Sequence, residues 1–220
     1  MKSILVIGMG RFGKHLALKM LELGNDVMIV DSDEAKIEEL APTFTDSFVG
    51  DCTNEGTVRA LGVNNFDICF VSIGENFQSS LEITALLKDF GAKYVVSKAN
   101  RDIQARFLKS VGADEVIYPE RAMAERLAIR FNADNVYDYI ELTPDFSIYE
   151  IPVPTDWVGR SISAVNVRRD YHLNIIAVKR EGLLRPMPGA DYVFKADDHM
   201  VVIGQTESIA KITANPKKKQ

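Results

Sequence analysis

Near its N-terminus the chain reads Ile4-Leu5-Val6-Ile7-Gly8-Met9-Gly10-Arg11-Phe12-Gly13. The apolar residues have strand character and stop at a Gly-x-Gly-x-x-Gly turn, after which helix-forming residues run from 14 to 23. A second apolar run, 27–30, ends at the acid Asp31. Strand, glycine turn, helix and following acid together predict an adenine nucleotide site of the Rossmann type. The alternative is a glycine turn used only for packing.

The three glycines have different mechanical roles in such a turn. Gly8 allows the sharp exit from the strand, Gly10 lets the backbone approach a pyrophosphate, and Gly13 lets the helix lie close to the sheet. The phosphates are then expected at the free N–H groups of the helix N-terminus. Asp31 is expected to accept hydrogen bonds from the adenosine ribose and to repel a 2′-phosphate. The pattern therefore favours NAD-type over NADP-type ligands.

Composition limits the class of protein. The chain has 220 residues, 46% of them hydrophobic, which predicts one large or two small domains. A net charge of −5 argues against nonspecific binding to nucleic acid. No apolar run approaches the roughly 18 residues that span a bilayer, and the N-terminus does not resemble a signal peptide. We therefore expect a cytoplasmic protein.

The two cysteines, Cys52 and Cys69, and the three histidines show no metal-ligand spacing. We expect the cysteines to be reduced packing residues. The histidines are expected in structural or surface positions. This leaves the sequence without a recognisable catalytic group.

Alternating strand and helix patterns extend over residues 3–118 and predict a doubly wound parallel sheet with helices on both faces. The predicted strands are 3–7, 26–30, 47–49, 68–72, 94–98 and 115–118. The predicted helices are 14–23, 33–40, 54–61, 77–90 and 103–111. A glycine at a helix C-cap position follows each of four helices, namely Gly24, Gly62, Gly91 and Gly112.

The pattern changes after Pro119. Residues 120–131 form helix with an apolar stripe of Met123, Leu127 and Phe131. After a break at 132–135, residues 136–142 continue as a short amphipathic segment. We interpret 119–143 as a connector that packs on a neighbouring domain or subunit. A last helix that covers the home sheet is equally compatible with the pattern.

From residue 144 the sequence predicts a small α+β domain that ends near 214, followed by a basic tail at 215–220. Its predicted strands are 146–153, 174–180, 192–195 and 200–203, and its predicted short helix is 162–168. The domain is too small to supply a substrate pocket of the usual kind for a dehydrogenase, and His172 and His199 have no matched partners. A binding protein is therefore favoured over an NAD-dependent oxidoreductase.

The carboxyl ends of parallel strands form the ligand edge of such a sheet. Arg11 lies inside the glycine loop, where its guanidinium can pair with phosphate oxygens, although a solvent-facing arginine is the alternative. Glu120 suits a helix N-terminus and could instead bind a cation or reach a neighbouring subunit's nucleotide. We predict that the nucleotide is lined by Gly8, Gly10, Arg11, Phe12, Gly13, Asp31, Ser32, Asp33, Asp51, Cys52, Ser72, Ile73, Gly74 and Lys98.

Five motifs in a fixed order carry a resemblance to a known family. They are Gly8-Met9-Gly10-Arg11-Phe12-Gly13, Val30-Asp31-Ser32-Asp33, Val49-Gly50-Asp51-Cys52-Thr53, Ser72-Ile73-Gly74-Glu75-Asn76 and Val111-Gly112-Ala113-Asp114-Glu115-Val116-Ile117-Tyr118-Pro119-Glu120-Arg121. The set resembles the RCK (KTN) family of KtrA/KtrC/TrkA-type regulatory subunits of bacterial potassium uptake systems. The resemblance extends over nearly the whole chain.

The resemblance implies a nucleotide-binding RCK_N domain, a crossover helix exchanged between protomers, and a small RCK_C domain. It implies homodimers that assemble into an octameric ring, which docks on a multi-pass membrane potassium channel of the KtrB/TrkH kind and gates it. The implied ligands are ATP, ADP or NAD(H), with phosphates at Arg11 and ribose at Asp31. Glu120 would meet a divalent cation, Mg²⁺ or Ca²⁺, or the partner subunit. Cyclic di-AMP would bind at Arg168, Asn174, Ile175 and Pro188.

We therefore expect a nucleotide-sensing gating subunit without catalytic residues. The alternative from a different class is an NAD-dependent oxidoreductase. A third hypothesis is a cyclic di-AMP receptor that has no channel partner. Occupancy can gate a channel only if the ligand binds two states of the assembly with different affinity.

Overall fold

The computed structural model describes residues 1–132 and 136–213. The predicted break at 132–135 falls on residues of which only Asn132 is described, and the basic tail at 215–220 lies outside the described residues. The chain divides after Glu120 into two compact units. Among the described residues, no helix is both long and apolar enough to cross a membrane.

The first unit is built around a six-stranded parallel sheet with the order β3-β2-β1-β4-β5-β6. Its strands are β1 (Ser3–Ile7), β2 (Asp26–Asp31), β3 (Asp46–Val49), β4 (Ile68–Val71), β5 (Val95–Lys98) and β6 (Glu115–Ile117). Its helices are α1 (Arg11–Glu22), α2 (Glu34–Leu40), α3 (Glu55–Leu61), α4 (Phe77–Asp89) and α5 (Asp102–Ser110). The chain reverses its direction of winding at β1, so the crevice between β1 and β4 is the topological switch point of the sheet.

Side chains of β1 alternate between two cores. Leu5 and Ile7 pack in one buried cluster with residues of β4 and β5, whereas Ile4 and Val6 pack in another with residues of α1 and α2. Both faces of the central strand are therefore covered, which explains why it is an unbroken apolar run rather than an alternating one. The predicted doubly wound α/β fold is confirmed.

Helix α6 (Pro119–Asn132) follows, and the remaining elements form the second unit. Its strands are β7 (Asp138–Glu141), β8 (Phe146–Pro152), β9 (Leu173–Arg180), β10 (Leu183–Pro186) and β11 (His199–Gln205). Its further helices are α7 (Ile162–Val165), α8 (Val167–Asp170) and α9 (Thr206–Thr213). The strands form an antiparallel sheet with the order β10-β9-β11-β8-β7. Its core contains the fully buried Trp157, Phe194 and Met200.

Two sequence predictions in this region are wrong. Residues 136–142 do not continue the preceding helix, because Asp138–Glu141 is a strand that pairs with β8. Residues 192–195 are not a strand either, since Val193 makes only an isolated bridge with Ser161. The predicted helix at 162–168 is two short helices, separated by Asn166 in the left-handed conformation.

The apolar stripe of helix α6 is partly exposed. Met123, Leu127 and Phe131 are 51%, 39% and 76% exposed. The four predicted C-cap glycines all have positive φ, from 60° to 105°, which agrees with their placement at helix ends.

Candidate nucleotide site

The glycine loop follows β1 at the carboxyl edge of the sheet. Gly8 has φ +96°, a conformation that favours glycine, and its N–H donates to the carbonyl of Val30 at 2.8 Å. A Cβ at Gly13 would collide with the Gly8 carbonyl and with Ser72 Oγ, whereas a Cβ at Gly10 would meet nothing within 4 Å. Gly8 and Gly13 are thus required by the fold itself. Gly10 leaves open space, which is what a closely approaching ligand needs.

The N-terminus of α1 differs from those of the next three helices. Its N-cap, Gly10, makes no side-chain capping hydrogen bond, and its first turn contains no acid. Side chains cap α2, α3 and α4 instead, from Asp33, Asn54 and Asn76. The positive end of the α1 dipole therefore has no anionic side chain of its own helix. These features fit a bound phosphate.

Asp31 lies at the end of β2 with only 9% of its surface exposed. Its Oδ2 accepts a hydrogen bond from the N–H of Met9 at 2.6 Å, and its Oδ1 accepts one from the N–H of Asp33 at 2.9 Å. Lys36 Nζ lies 3.4 Å from Oδ1. Asp31 therefore braces the glycine loop, a role that the sequence did not indicate. The expected hydrogen bond from a ribose to this carboxylate stays a prediction.

The end of β4 also supports the loop. Ser72 Oγ lies 2.5 Å from the Gly8 carbonyl and 2.9 Å from the Ile7 carbonyl, and it is buried. The side chain of Ile73 packs beside Gly8. Both residues thus hold the loop from the side of the neighbouring strand. The next residue, Gly74, accepts a hydrogen bond from Asn100 Nδ2 at 2.6 Å, which links the ends of β4 and β5.

Lys98 is the last residue of β5 and its side chain is only 10% exposed. Its Nζ lies 2.5 Å from Glu120 Oε1 and 5.7 Å from the ring centroid of Phe12. Arg11 is exposed at the first position of α1. Two cationic side chains therefore lie near the glycine loop. They provide positive charge where the sequence predicts phosphate.

The remaining predicted residues lie at the ends of β2 and β3. Ser32 is exposed, and Asp33 uses its carboxylate to cap α2 at Ala35 N–H. Asp51 accepts hydrogen bonds from the backbone and hydroxyl of Thr53. Cys52 is buried, and burial, together with the charges of Asp51 and Asp31, raises the pKa of its thiol to about 12. Its thiol is therefore a packing group and not a reactive thiolate.

The register of the sheet explains why these groups gather. Ile7 lies beside Val30 on one side and beside Val71 on the other, and Val71 lies beside Ser97. The segments that follow β2, β1, β4 and β5 must therefore emerge side by side. The structure brings the predicted loop residues to one edge, where the ligands of open parallel sheets bind.

Glu120 is the second residue of α6 and is the predicted cation-binding residue. Hydrogen bonding from Lys98, followed by the charges of Lys98 and Arg11, outweighs its partial burial, so the pKa of Glu120 lies below its ordinary value. In the described part of the chain no group of three or more histidine, cysteine, aspartate or glutamate side chains could hold a metal ion. A divalent cation at Glu120 stays a prediction.

The residues predicted for the second ligand surround the start of β9. Asn174 and Ile175 lie in β9, opposite Ile203 and Val202 of β11. Arg168 lies in α8, which packs on β9. Pro188 follows β10, where the N–H of the preceding residue bonds to the Ile176 carbonyl. Arg168 and Asn174 are exposed, whereas Ile175 and Pro188 are half-buried.

The fold and the geometry of the candidate site together indicate the class of protein. The first unit has the Rossmann-type α/β fold, and a separate small α+β unit follows it in the chain. Family models agree with this division, because the TrkA-N domain matches residues 4–119 and the TrkA-C domain matches residues 146–216. The chain belongs to the RCK (KTN) family of KtrA/TrkA-type regulatory subunits, as its motifs suggested.

Similar proteins agree with that assignment. The chain is 37% identical to the Ktr system potassium uptake protein C of Bacillus subtilis over 96% of this chain and 95% of that protein. It is 31% identical to the Ktr system potassium uptake protein A of the same organism, with the same coverage. The GsuK channel has the same fold, with a TM-score of 0.74 at 17% identity over the whole of this chain. The chain spans only 40% of the GsuK chain, which has also been solved bound to NAD.

Proposed function

We propose that this protein is a regulatory subunit of a bacterial potassium uptake system, and that its first domain senses an adenine nucleotide, either ATP/ADP or NAD(H). One observation carries the nucleotide part: the uncapped α1 N-terminus lies directly after the glycine loop, with the Asp31 carboxylate at the end of the next strand. Identity of 37% to a potassium uptake protein over nearly the full length supports the transport system.

The residues present fit a nucleotide in their chemistry. When bound, the nucleotide supplies phosphate charge and an adenosine moiety. The N–H groups of the α1 N-terminus and the Arg11 guanidinium would hold the phosphates, and Asp31 would accept hydrogen bonds from ribose. No step of covalent chemistry is required of the chain. Binding free energy alone can shift an assembly between two arrangements if their affinities for the nucleotide differ.

The proposal includes the assembly that the family resemblance implies. A homodimer would form an octameric ring and dock on the inner face of a multi-pass membrane potassium channel. This would place the subunit in the cytoplasm, at the membrane only through its partner. The exposed Met123, Leu127 and Phe131 of α6 support a helix that packs on another protomer, because an apolar stripe of this kind is usually covered in the assembled state.

The second domain is proposed to bind cyclic di-AMP. Support comes from the position of Arg168 and Asn174, which lie exposed around the start of β9 beside Ile175 and Pro188. A guanidinium can pair with the phosphodiester, and the amide can hydrogen-bond a base edge. Arg168→Ala should abolish binding of cyclic di-AMP in calorimetry while ADP binding stays unchanged. Unchanged cyclic di-AMP affinity would remove Arg168 from such a site.

Nucleotide binding and channel association can be tested separately. Calorimetry of the purified chain with ATP, ADP and NADH tests the first, and we expect micromolar affinity for at least one of them. Co-purification with a multi-pass membrane protein, identified by mass spectrometry, tests the second. Turnover of NADH with small carbonyl substrates would instead support the alternative, an NAD-dependent oxidoreductase. Absence of affinity for all three nucleotides at millimolar concentration would overturn the proposal.

A further inference from the structure

The pair of Lys98 and Glu120 joins the ligand edge of the sheet to the first turn of α6. Lys98 is nine-tenths buried at the end of β5, whereas the Glu120 side chain is 67% exposed. Burying an ammonium without a partner is costly, so Lys98 requires an anion in this position. In the structure that anion is Glu120, with Nζ and Oε1 2.5 Å apart.

The same ammonium also faces the nucleotide loop. Lys98 Nζ lies 5.7 Å from the centroid of the Phe12 ring, and Phe12 is the second residue of α1. The segment that follows β4 is also close, since a Cβ built at Gly74 would lie 3.5 Å from Lys98 Nζ. Lys98 therefore pairs with Glu120 and also lies close to the first turn of α1. The Lys98 ammonium can therefore pair with Glu120 or with an anion bound at the nucleotide loop.

We propose that Glu120 and the nucleotide phosphate compete for Lys98, so that a bound nucleotide releases the first turn of α6. The inference rests on the proposed nucleotide binding and adds the residue pair through which occupancy reaches the connector helix. A phosphate offers several charged oxygens and is a stronger partner for a buried ammonium than an exposed carboxylate. Glu120 is also the last residue before the chain passes into the second unit.

Competition gives Glu120 an effect on affinity opposite in sign to that of a ligand-binding residue. If nucleotide must displace the carboxylate from Lys98, removing that carboxylate removes a cost of binding. Glu120→Gln should then tighten ADP binding, by about threefold to fivefold for a pair with one exposed partner. A glutamate that holds the nucleotide through a divalent cation would instead weaken binding when it is replaced.

A double-mutant cycle tests the competition. ADP binding is measured by calorimetry in EDTA for the wild type, Glu120→Gln, Lys98→Met and the double variant. We expect Glu120→Gln to tighten binding only where Lys98 is present, and Lys98→Met to weaken it. Glu125→Gln is the matched control, because Glu125 lies exposed on the same helix and pairs with Arg121. This control should leave ADP affinity unchanged.

A second measurement tests the release of the first turn of α6 itself. Amide hydrogen exchange in the first turn of α6 should rise when saturating ADP is added to the wild type, and Glu120→Gln should show the raised exchange without ADP. Weaker binding by Glu120→Gln in EDTA, or the same gain with and without Lys98, would overturn the inference. If the wild type binds neither ADP, ATP nor NADH, the proposed function fails. If it binds and the cycle is additive, only the competition fails.

Discussion

In the first unit, the charged side chains at one edge of the parallel sheet form partly exposed pairs such as Lys98–Glu120, whereas in the second unit a charged network is centred on a buried carboxylate. Asp198 is fully buried there and accepts hydrogen bonds from Arg180 Nε at 2.7 Å, Tyr192 OH at 2.7 Å and Lys195 N–H at 2.9 Å. At the sheet edge of the first unit, by contrast, Arg11 is exposed. The first unit therefore leaves charge accessible at its sheet edge, and the second uses buried charge to hold its own fold together.

The largest expected effect comes from breaking the buried network of the second unit. Asp198→Ala leaves Arg180 without its carboxylate, which should lower the free energy of unfolding by about 3–5 kcal/mol. Trp157 is the only tryptophan and is buried in this unit, so its fluorescence in urea reports the transition. The exposed neighbour Asp197→Ala is the control and should change stability by less than about 0.5 kcal/mol. A loss below about 1 kcal/mol for Asp198→Ala would contradict the comparison.

Removing the acid of the ligand edge should mainly affect binding. Asp31→Ala should weaken nucleotide affinity by about 1.5–3 kcal/mol, because charge-assisted hydrogen bonds to ribose are lost and the N–H of Met9 loses its acceptor. Calorimetry measures the change. Asp26→Ala, at the opposite end of the same strand, should leave affinity unchanged. Equal affinity of Asp31→Ala and wild type would remove Asp31 from the site.

Substitutions at two glycines of the loop should separate effects on stability from effects on nucleotide binding. Gly13→Ala forces a Cβ against the Gly8 carbonyl, so we expect a loss of about 1–3 kcal/mol in stability. Gly10→Ala places its Cβ in open space and should cost less than about 1 kcal/mol in stability while it reduces nucleotide affinity. Hydrogen exchange of the first unit and calorimetry measure the two effects. Similar destabilisation by both substitutions would mean that Gly10 also serves packing.

The smallest expected effect is on the pH dependence of stability. Burial raises the pKa of Asp198, but hydrogen bonds from Arg180, Lys195 N–H and Tyr192 lower it by more, so that it lies below its ordinary value. The unfolded chain therefore binds this proton at higher pH than the folded chain does. The stabilisation is complete above the unfolded pKa of about 4 and is lost as pH falls through the lower folded pKa.

Urea unfolding, followed by Trp157 fluorescence from neutral pH down to about pH 3, tests whether stability falls as the pH is lowered. Asp198→Asn should show a shallower loss of stability on the acid side than the wild type. In the first unit, Asp114 has a lowered pKa as well, through the Val95 N–H and Lys88, but the pair is about 30% exposed. Salt should therefore weaken the Asp114 contribution more than that of Asp198. An identical acid slope in wild type and Asp198→Asn would contradict the assignment.

The sequence predicted the first unit closely because its signals are local. All six predicted strands and all five predicted helices of the first unit are present, with ends that differ by a few residues. Buried parallel strands are continuous apolar runs, and glycines with positive φ mark the helix ends. These features can be recognised in a short stretch of sequence, without knowing which distant residues that stretch contacts.

The second unit shows where local signals mislead. Residues 192–195 alternate because Phe194 packs on Trp157, at 5.9 Å between rings, while its N–H bonds to the Arg160 carbonyl in a loop. The alternation therefore reflects packing and not a sheet ladder. Strand β10 was not predicted, since all four of its residues are exposed and leave no pattern of burial. β7 was mistaken for a continuation of the helix because the buried Val136, just before the strand, and Tyr139 within it are three residues apart.

The sequence by itself determined the Rossmann unit, the glycine loop, the acid after the second strand and the family. Only the tertiary structure showed that Asp31 and Ser72 brace the loop, and that Lys98 meets Glu120. The physical reason is sequence distance: Ser72 reaches Gly8 across 64 residues, and Lys98 reaches Glu120 across 22. Pairings of this kind follow from strand order and register, which bring together side chains that no periodicity within one segment connects.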